Sequence, residues 1–230
     1  KLLLSHPKVQ VRKLFGNSSN RKMIEDVHPS LRRVLSKEIE EFSAASVGAI
    51  DLLFVALPSG QAMSIVPEAL SAGCRVIDLG GDFRLDSPSI YQKYYGHEHT
   101  ATAFLSHAVY GLSEWNCEAI KTAKLIANPG CYPTSIQLAV LPLLKAGILD
   151  SSTMGITSYS GTSGAGKSVT DKMMFTEVNE SVRAYKVGNH QHIPEIQQYL
   201  KTFGGVDVSF TFAPHLLPVT RGIYTTIHAT

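Results

Sequence analysis

A chain of 230 residues, 44% hydrophobic and 17% charged, has the length for one large or two modest domains with ample core. Its net charge of +2 gives no reason to expect nucleic acid or a membrane surface as partner, and no apolar run approaches a membrane span. Three scattered cysteines, Cys74, Cys117 and Cys131, exclude a disulfide framework and favour a reducing compartment, the cytoplasm.

The opening "KLLLSHPKVQ" reads as the last turns of a helix, and the closing "RGIYTTIHAT" stops inside a strand-like alternation, so an excerpt of a longer protein is expected. Residues 8–16, "KVQVRKLFG", alternate as a half-buried strand, and the polar turn "NSSNRK" follows. "IDLLFVALPSG" (50–60) is a buried parallel strand that ends in a loop of functional type. "AMSIVPEALSAG" reads as a helix closed by Gly73, "CRVIDLGGDF" as the next buried strand and "AKLIANPG" as another. Strands alternating with helices predict a doubly wound α/β sheet in the first half. Ligands gather at the carboxyl ends of such strands, where Pro58-Ser59-Gly60, Gly80-Gly81-Asp82 and Asn128-Pro129-Gly130-Cys131 all fall.

In "ANPGCYPTSIQ" (127–137) a cysteine follows Asn-Pro-Gly where loop chemistry gives way to a helical pattern. Cys131 at a helix N-terminus meets unpaired N–H groups and a dipole that favour thiolate over thiol. The alternative is a small buried residue. After a helix over about 132–147, "STMGITSYSGTSGAG" and "VDVSFTFAPHLLPVTRGIYTTI" predict an antiparallel second domain with helices on one face. The boundary is placed near Cys131, giving domains over 1–130 and 131–230.

"GTSGAGKS" (161–168) satisfies the phosphate-loop pattern, with Lys167 for phosphate and Ser168 for magnesium. No apolar strand ending in Asp follows to hold the metal, so a triphosphatase is disfavoured. The Ser-Gly run is expected instead to bring backbone N–H groups close to an anionic ligand. "GNHQHIPEI" sets His190, His192 and Glu195 close together, open to three readings: a metal site with a cysteine, acid–base service to Cys131, or a surface turn. "HEH" at 97–99 raises the same metal question more weakly. His107, His215 and His228 are taken as structural, with His215 having the best claim to a role.

Together "LIANPGCYPTSIQLAVLPLL", "IDLGGDFRL", "AVYGLSE", "SGTSGAG", "HQHIPEI" and "FAPHLLPVTRGI" closely resemble the N-acetyl-gamma-glutamyl-phosphate reductases, NADPH-dependent enzymes of arginine biosynthesis. The resemblance implies a Rossmann-type NADP domain lacking its first strand and glycine turn here. A catalytic domain of the glyceraldehyde-3-phosphate dehydrogenase type, without the family's closing segment, would follow. It implies that Cys131 attacks an acyl phosphate, that NADPH reduces the resulting thioacyl enzyme, and that the semialdehyde leaves. His192 becomes the acid–base partner, oriented by His190 and Glu195, and no metal is required.

By the same resemblance Arg84, Arg221 and Gln137 are the substrate-binding candidates, the arginines for phosphate or carboxylate. Pro58, Ser59, Gly60, Ser160, Gly161, Ser163 and Gly164 would line the nicotinamide side, and Ser18, Ser19 and Arg21 would meet a 2′-phosphate. "HQH" for the commoner His-Arg-His and "GGDF" for Ser-Ala-Asp-Phe are departures that leave Cys131 and His192 in place. A small-molecule substrate and a homo-oligomer, dimer or tetramer, are the implied partners. A lysine-pathway acyl-phosphate reductase, a cysteine–histidine acyl hydrolase and a catalytically silent module are the rival readings.

Overall fold

The computed structural model describes residues 1–16, 22–150, 153–166 and 170–230. Ser18, Ser19 and Arg21, and Lys167 and Ser168 of the phosphate-loop pattern, lie outside the described residues. Near the start, β1 (Leu14–Phe15), β2 (Lys22–Met23) and β3 (Glu38–Glu40) form a small sheet ordered β1-β3-β2. Only Leu14 and Phe15 of the strand expected over 8–16 are paired, because β3, their partner, is just three residues long. Two single-turn helices, α1 (Ile24–Val27) and α2 (Ala44–Val47), flank this region; Ser43 caps α2 by accepting the Ser46 N–H.

The main sheet of the first half is wholly parallel: β4 (Leu52–Val55), β5 (Arg75–Asp78), β6 (Ala108–Tyr110) and β7 (Leu125–Ala127), in the order β4-β5-β7-β6. Helices α3 (Ala62–Ser71), α4 (Pro88–Tyr95) and α5 (Ser113–Thr122) alternate with these strands. Val55, Val76, Leu125 and Ala127 pack with Met63, Val66 and Ala69 of α3 into one core. Removing such apolar surface from water contributes about 25 cal/mol per Å², and it is why these strands read as apolar runs. Gly73, expected to close α3, sits two residues past it at φ +83°, a conformation that suits glycine.

The second half begins with α6 (Cys131–Lys145), followed by β8 (Met154–Ser160), α7 (Phe175–Val178), β9 (Arg183–Ala184), α8 (Ile193–Gly204), β10 (Phe210–Leu216) and β11 (Ile223–Ala229). The sheet order is β11-β8-β10-β9. It is mixed rather than antiparallel, correcting the expectation: β8 and β10 run parallel over seven residue pairs. The reason is α8, which carries the chain back across the sheet as a crossover, as parallel neighbours require. β11 and β9 pair antiparallel at the edges. Helices α6 and α8 share a second core with the buried face of this sheet, through Ile136, Val140, Ile196, Leu200, Ile156 and Phe212.

The second glycine of "GGDF" finds its cause in packing. Tyr95 stacks on Tyr91 with ring centroids 4.7 Å apart, and a Cβ on Gly81 would lie 2.5 Å from the Tyr95 ring. Glycine at 81 therefore makes room for tyrosine at 95. Gly81→Ala is expected to cost about 1–3 kcal/mol through overpacking; an unchanged urea midpoint and slope would contradict this.

Candidate active site

Strand β7 ends at Ala127, and the turn Asn128-Pro129-Gly130 delivers Cys131 as the first residue of α6. Gly130 is the helix N-cap, and its carbonyl accepts both the backbone N–H and the hydroxyl of Thr134. The turn is fixed from two sides. Arg84 Nε donates to the Asn128 carbonyl at 2.8 Å, and the fully buried Glu195 accepts the Gly130 N–H at 2.8 Å. The same carboxylate accepts the Tyr110 hydroxyl at 2.8 Å and faces Arg84 Nη1 at 3.4 Å.

His192 is the N-cap of α8, so the base candidate and Glu195 stand on one helix start. A Cβ on Gly130 would lie 2.7 Å from His192 Nε2, which places the imidazole directly against the residue before Cys131. His192 Nδ1 finds no hydrogen-bond partner among the described residues. His190 accepts the His192 backbone N–H on Nδ1 at 3.1 Å, and the two rings are 4.8 Å apart, edge to face. His190 thus does hold the His192 backbone. Glu195 makes its bonds to Gly130, Tyr110 and Arg84 instead, so its orienting action falls on the nucleophile's turn.

Cys131 reaches solvent, yet the walls around its sulfur strip away water, and this burial pushes the thiol above its ordinary range. The Tyr132 N–H and the Arg84 charge pull the other way, as expected at a helix N-terminus, but burial wins. Burial also lowers both imidazoles to about 3, His192 further by the Arg84 charge and His190 by its histidine neighbour. At neutral pH the pair is therefore thiol and neutral imidazole, correcting the expectation of a resting thiolate.

The two arginine candidates separate cleanly. Arg84 is buried, and its remaining Nη2 donates to the Leu79 carbonyl at 3.0 Å. It serves as an internal strut, each of its three nitrogens bonded within the fold. Arg221 is exposed on the turn between β10 and β11, with no ion pair or hydrogen bond to its side chain among the described residues. Gln137 is also corrected: it is fully buried beside Tyr110, 3.1 Å from the hydroxyl, with no surface toward a substrate. The tyrosine's single proton goes to Glu195, so the Gln137 amide is best read donating into the phenol oxygen.

The Ser-Gly loop is more occupied than its composition suggested. The N–H groups of Gly161, Thr162 and Ser163 donate to the carbonyls of Gly222, Val219 and Thr220, and Gly164 N–H donates back to Gly161. A Cβ on Gly161 would lie 2.8 Å from the Arg221 backbone nitrogen, so this glycine serves close strand approach. Those amides are not free for an anion. Ser160 is buried, its hydroxyl on the Gly161 carbonyl, while Ser163 lines a cavity of about 330 Å³ with Thr162, Gly166, Met173, Met174 and Thr220. On the first sheet, Pro58 and Ser59 are exposed, whereas the Gly60 N–H is taken by Asp82.

Residues with no assigned role in the sequence complete the site. Tyr110 bridges Glu195 and stacks on Tyr199, and Tyr132 bonds Tyr185 while its ring edge meets His190. Asp78, at the carboxyl end of β5, is fully buried and pushed up to about 6 by burial. One of its oxygens accepts the Gly80 N–H and the other finds no partner among the described residues. His215 sits within β10 with Nδ1 at its own strand's Ala213 carbonyl, and His97 and His99 bond Tyr91 and the Asp82 carbonyl. Among the described residues no group of three or more His, Cys, Asp or Glu is arranged to hold a metal ion.

With Cys131 so placed, iodoacetamide should alkylate it in the ligand-free protein with a midpoint above that of an ordinary thiol. A midpoint below neutrality, followed by mass spectrometry across pH, would contradict the burial argument.

Comparison with known proteins shows the family. The family model for the semialdehyde dehydrogenase NAD-binding domain matches residues 1–123, and that for the semialdehyde dehydrogenase dimerisation domain matches residues 131–230. Curated relatives called N-acetyl-gamma-glutamyl-phosphate reductase include proteins from Alkaliphilus metalliredigens, 42% identical, and Ectopseudomonas mendocina, 44% identical. Each alignment covers 100% of this chain and 67% of the relative, so the chain spans about two thirds of their length. Among solved structures, aspartate semialdehyde dehydrogenase II from Vibrio cholerae, complexed with ASA, superposes at TM-score 0.69 and 15% identity, over 99% of this chain and 68% of that one. The Candida albicans aspartate semialdehyde dehydrogenase with NADP gives 0.66 at 14%, over 99% and 66%. These two show the shared fold. The chain belongs to the semialdehyde dehydrogenase family, among the N-acetyl-gamma-glutamyl-phosphate reductases.

Proposed function

We propose that the protein carrying this chain reduces N-acetyl-gamma-glutamyl phosphate to N-acetylglutamate 5-semialdehyde, using NADPH and releasing phosphate through a thioacyl intermediate on Cys131. The observation that supports this most is the shared mount of Cys131 and His192. A neutral imidazole lies against the turn that carries an accessible thiol, and both are set by the start of α8. His192 takes the thiol proton, the sulfur attacks the acyl carbon, and the same proton passes to the departing phosphate oxygen. N–H groups at the start of α6 favour negative charge on the sulfur as it forms.

The cofactor's nicotinamide half fits the crevice at the ends of β4 and β5. There the exposed Pro58 and Ser59 supply the wall. When bound, NADPH supplies the hydride for the thioester carbonyl. The oxyanion so formed collapses, expels the Cys131 sulfur as thiolate and frees the aldehyde, and one proton taken up from solvent through His192 restores the resting thiol.

Arg221 is the side chain for the substrate's phosphate or carboxylate, since it is exposed whereas Arg84 is buried in bonds within the fold. Ser163 and the cavity beside it lie on the cofactor side. The working boundary between nucleotide and catalytic parts is at 130/131, with a homo-oligomer, dimer or tetramer, as the assembled form in the cytoplasm. Among the described residues no helix is long and apolar enough to cross a membrane.

The full-length protein, given N-acetylglutamate 5-semialdehyde, phosphate and NADP⁺, should form NADPH. Cys131→Ser should lower the rate on the order of 10⁴-fold. Hydrolysis of the acyl substrate that needs no phosphate and leaves nicotinamide absorbance unchanged would instead point to an acyl hydrolase.

A further inference from the structure

We propose that Asp82 is a positioning residue for the cofactor, acting as an internal anion at the amino end of α3 and so holding the 58–61 turn. The idea rests on the reductase reading for the identity of the ligand, but its geometry stands independently. Asp82 is fully buried just beyond β5, and its carboxylate accepts from three groups in four contacts. Oδ1 accepts the Gly60 N–H at 2.8 Å and the Tyr91 hydroxyl at 2.7 Å. Oδ2 accepts the Gly60 N–H at 2.9 Å and the Ala62 N–H at 3.1 Å, so Gly60 is shared between the two oxygens.

The surrounding hydrogen bonds have only one consistent direction. Tyr91 spends its single proton on Asp82, so His97 Nε2, 2.8 Å from the same hydroxyl, must donate to it. His99 Nδ1 accepts the Ala101 N–H, so its Nε2 carries the proton that reaches the Asp82 carbonyl at 2.8 Å. Gly60 completes the fit at φ +93°, where a Cβ would lie 2.9 Å from His97 Nε2. The turn after β4 is therefore gripped by Asp82 on one side and His97 on the other.

The amino end of a helix following a parallel strand ordinarily offers its N–H groups to a ligand's phosphate. In α3 the chain's own carboxylate takes Gly60 and Ala62, and charge-assisted bonds of this kind are the strong ones. The cofactor's phosphates are thereby directed elsewhere, and the turn becomes a rigid wall from which Pro58 and Ser59 project. Without Asp82, two buried N–H groups and a tyrosine hydroxyl lose their acceptor, and the wall loosens.

The test compares Asp82→Ala and the milder Tyr91→Phe with wild type in the full-length protein. The readouts are NADPH dissociation by fluorescence, amide exchange across 57–62, and steady-state kinetics. Asp82→Ala should raise the NADPH Kd and KM about tenfold, change kcat less than about threefold and speed exchange in that turn. Added formate, a small carboxylate for the vacated place, should recover part of the Kd. Tyr91→Phe should move Kd about twofold in the same direction.

An unchanged Kd in Asp82→Ala despite faster exchange would overturn the proposal. So would exchange that quickens across the whole first sheet without formate rescue. If Asp82→Ala does not fold, Tyr91→Phe decides: an unmoved Kd rejects the idea. Wild type that binds NADPH but turns over no acyl phosphate would sink the reductase reading and leave this one standing, whereas wild type that binds no NADPH would overturn both.

Discussion

A buried carboxylate is costly unless every lone pair is matched, and Glu195 is matched by groups brought from three distant parts of the chain. It reaches Gly130, 65 residues away, Tyr110, 85 away, and Arg84, 111 away. Glu195 lies in the first turn of α8, where the dipole favours negative charge. Removing any partner leaves charge or a donor stranded in the core, so the three segments are held in one arrangement. The turn before Cys131 is the part of that arrangement that reaches the surface.

The segment from Asp78 to Arg84 extends the same logic along the carboxyl ends of the first sheet. The Asp78 carbonyl accepts the Asn128 N–H, Asp82 closes α3, and Arg84 ties Leu79, Asn128 and Glu195 together. Seven residues thus join the wall of the crevice to the nucleophile. Burial, the largest influence on each titrating group here, keeps the thiol protonated and the imidazoles neutral. The resting site is therefore uncharged at its reactive pair; as the reaction proceeds, the α6 N-terminus and Arg84 favour negative charge on the sulfur, while Arg84 opposes a lasting positive charge on His192.

What was legible in the sequence follows from what each signal encodes. The strands β4, β5 and β7 read correctly as apolar runs, although only β7 is buried along its whole length, and α6 began where Asn-Pro-Gly stops. The three-residue β6 is too short to show a period. Alternation in "MGITSYS" and "VSFTFAPHL" marks half-buried strands but carries no direction, so the parallel pairing of β8 with β10 became visible only through α8. Arg84 and Arg221 look alike as letters, and burial alone separates a strut from an exposed cation. The amides of Gly161–Ser163 seemed free because their carbonyl partners lie about sixty residues downstream. The family motifs named Glu195 but not its target, since its contact with Gly130 is one that only the fold creates.

The most direct test of the Glu195 clamp is the single-turnover rate of Cys131 acylation in Glu195→Gln and Glu195→Ala. Glutamine keeps a carbonyl that accepts the Gly130 N–H, so that variant should lose far less than the alanine variant. The alanine variant should slow about a hundredfold, as a small misplacement of the nucleophile allows. A folded Glu195→Ala protein that acylates at the wild-type rate would contradict the account.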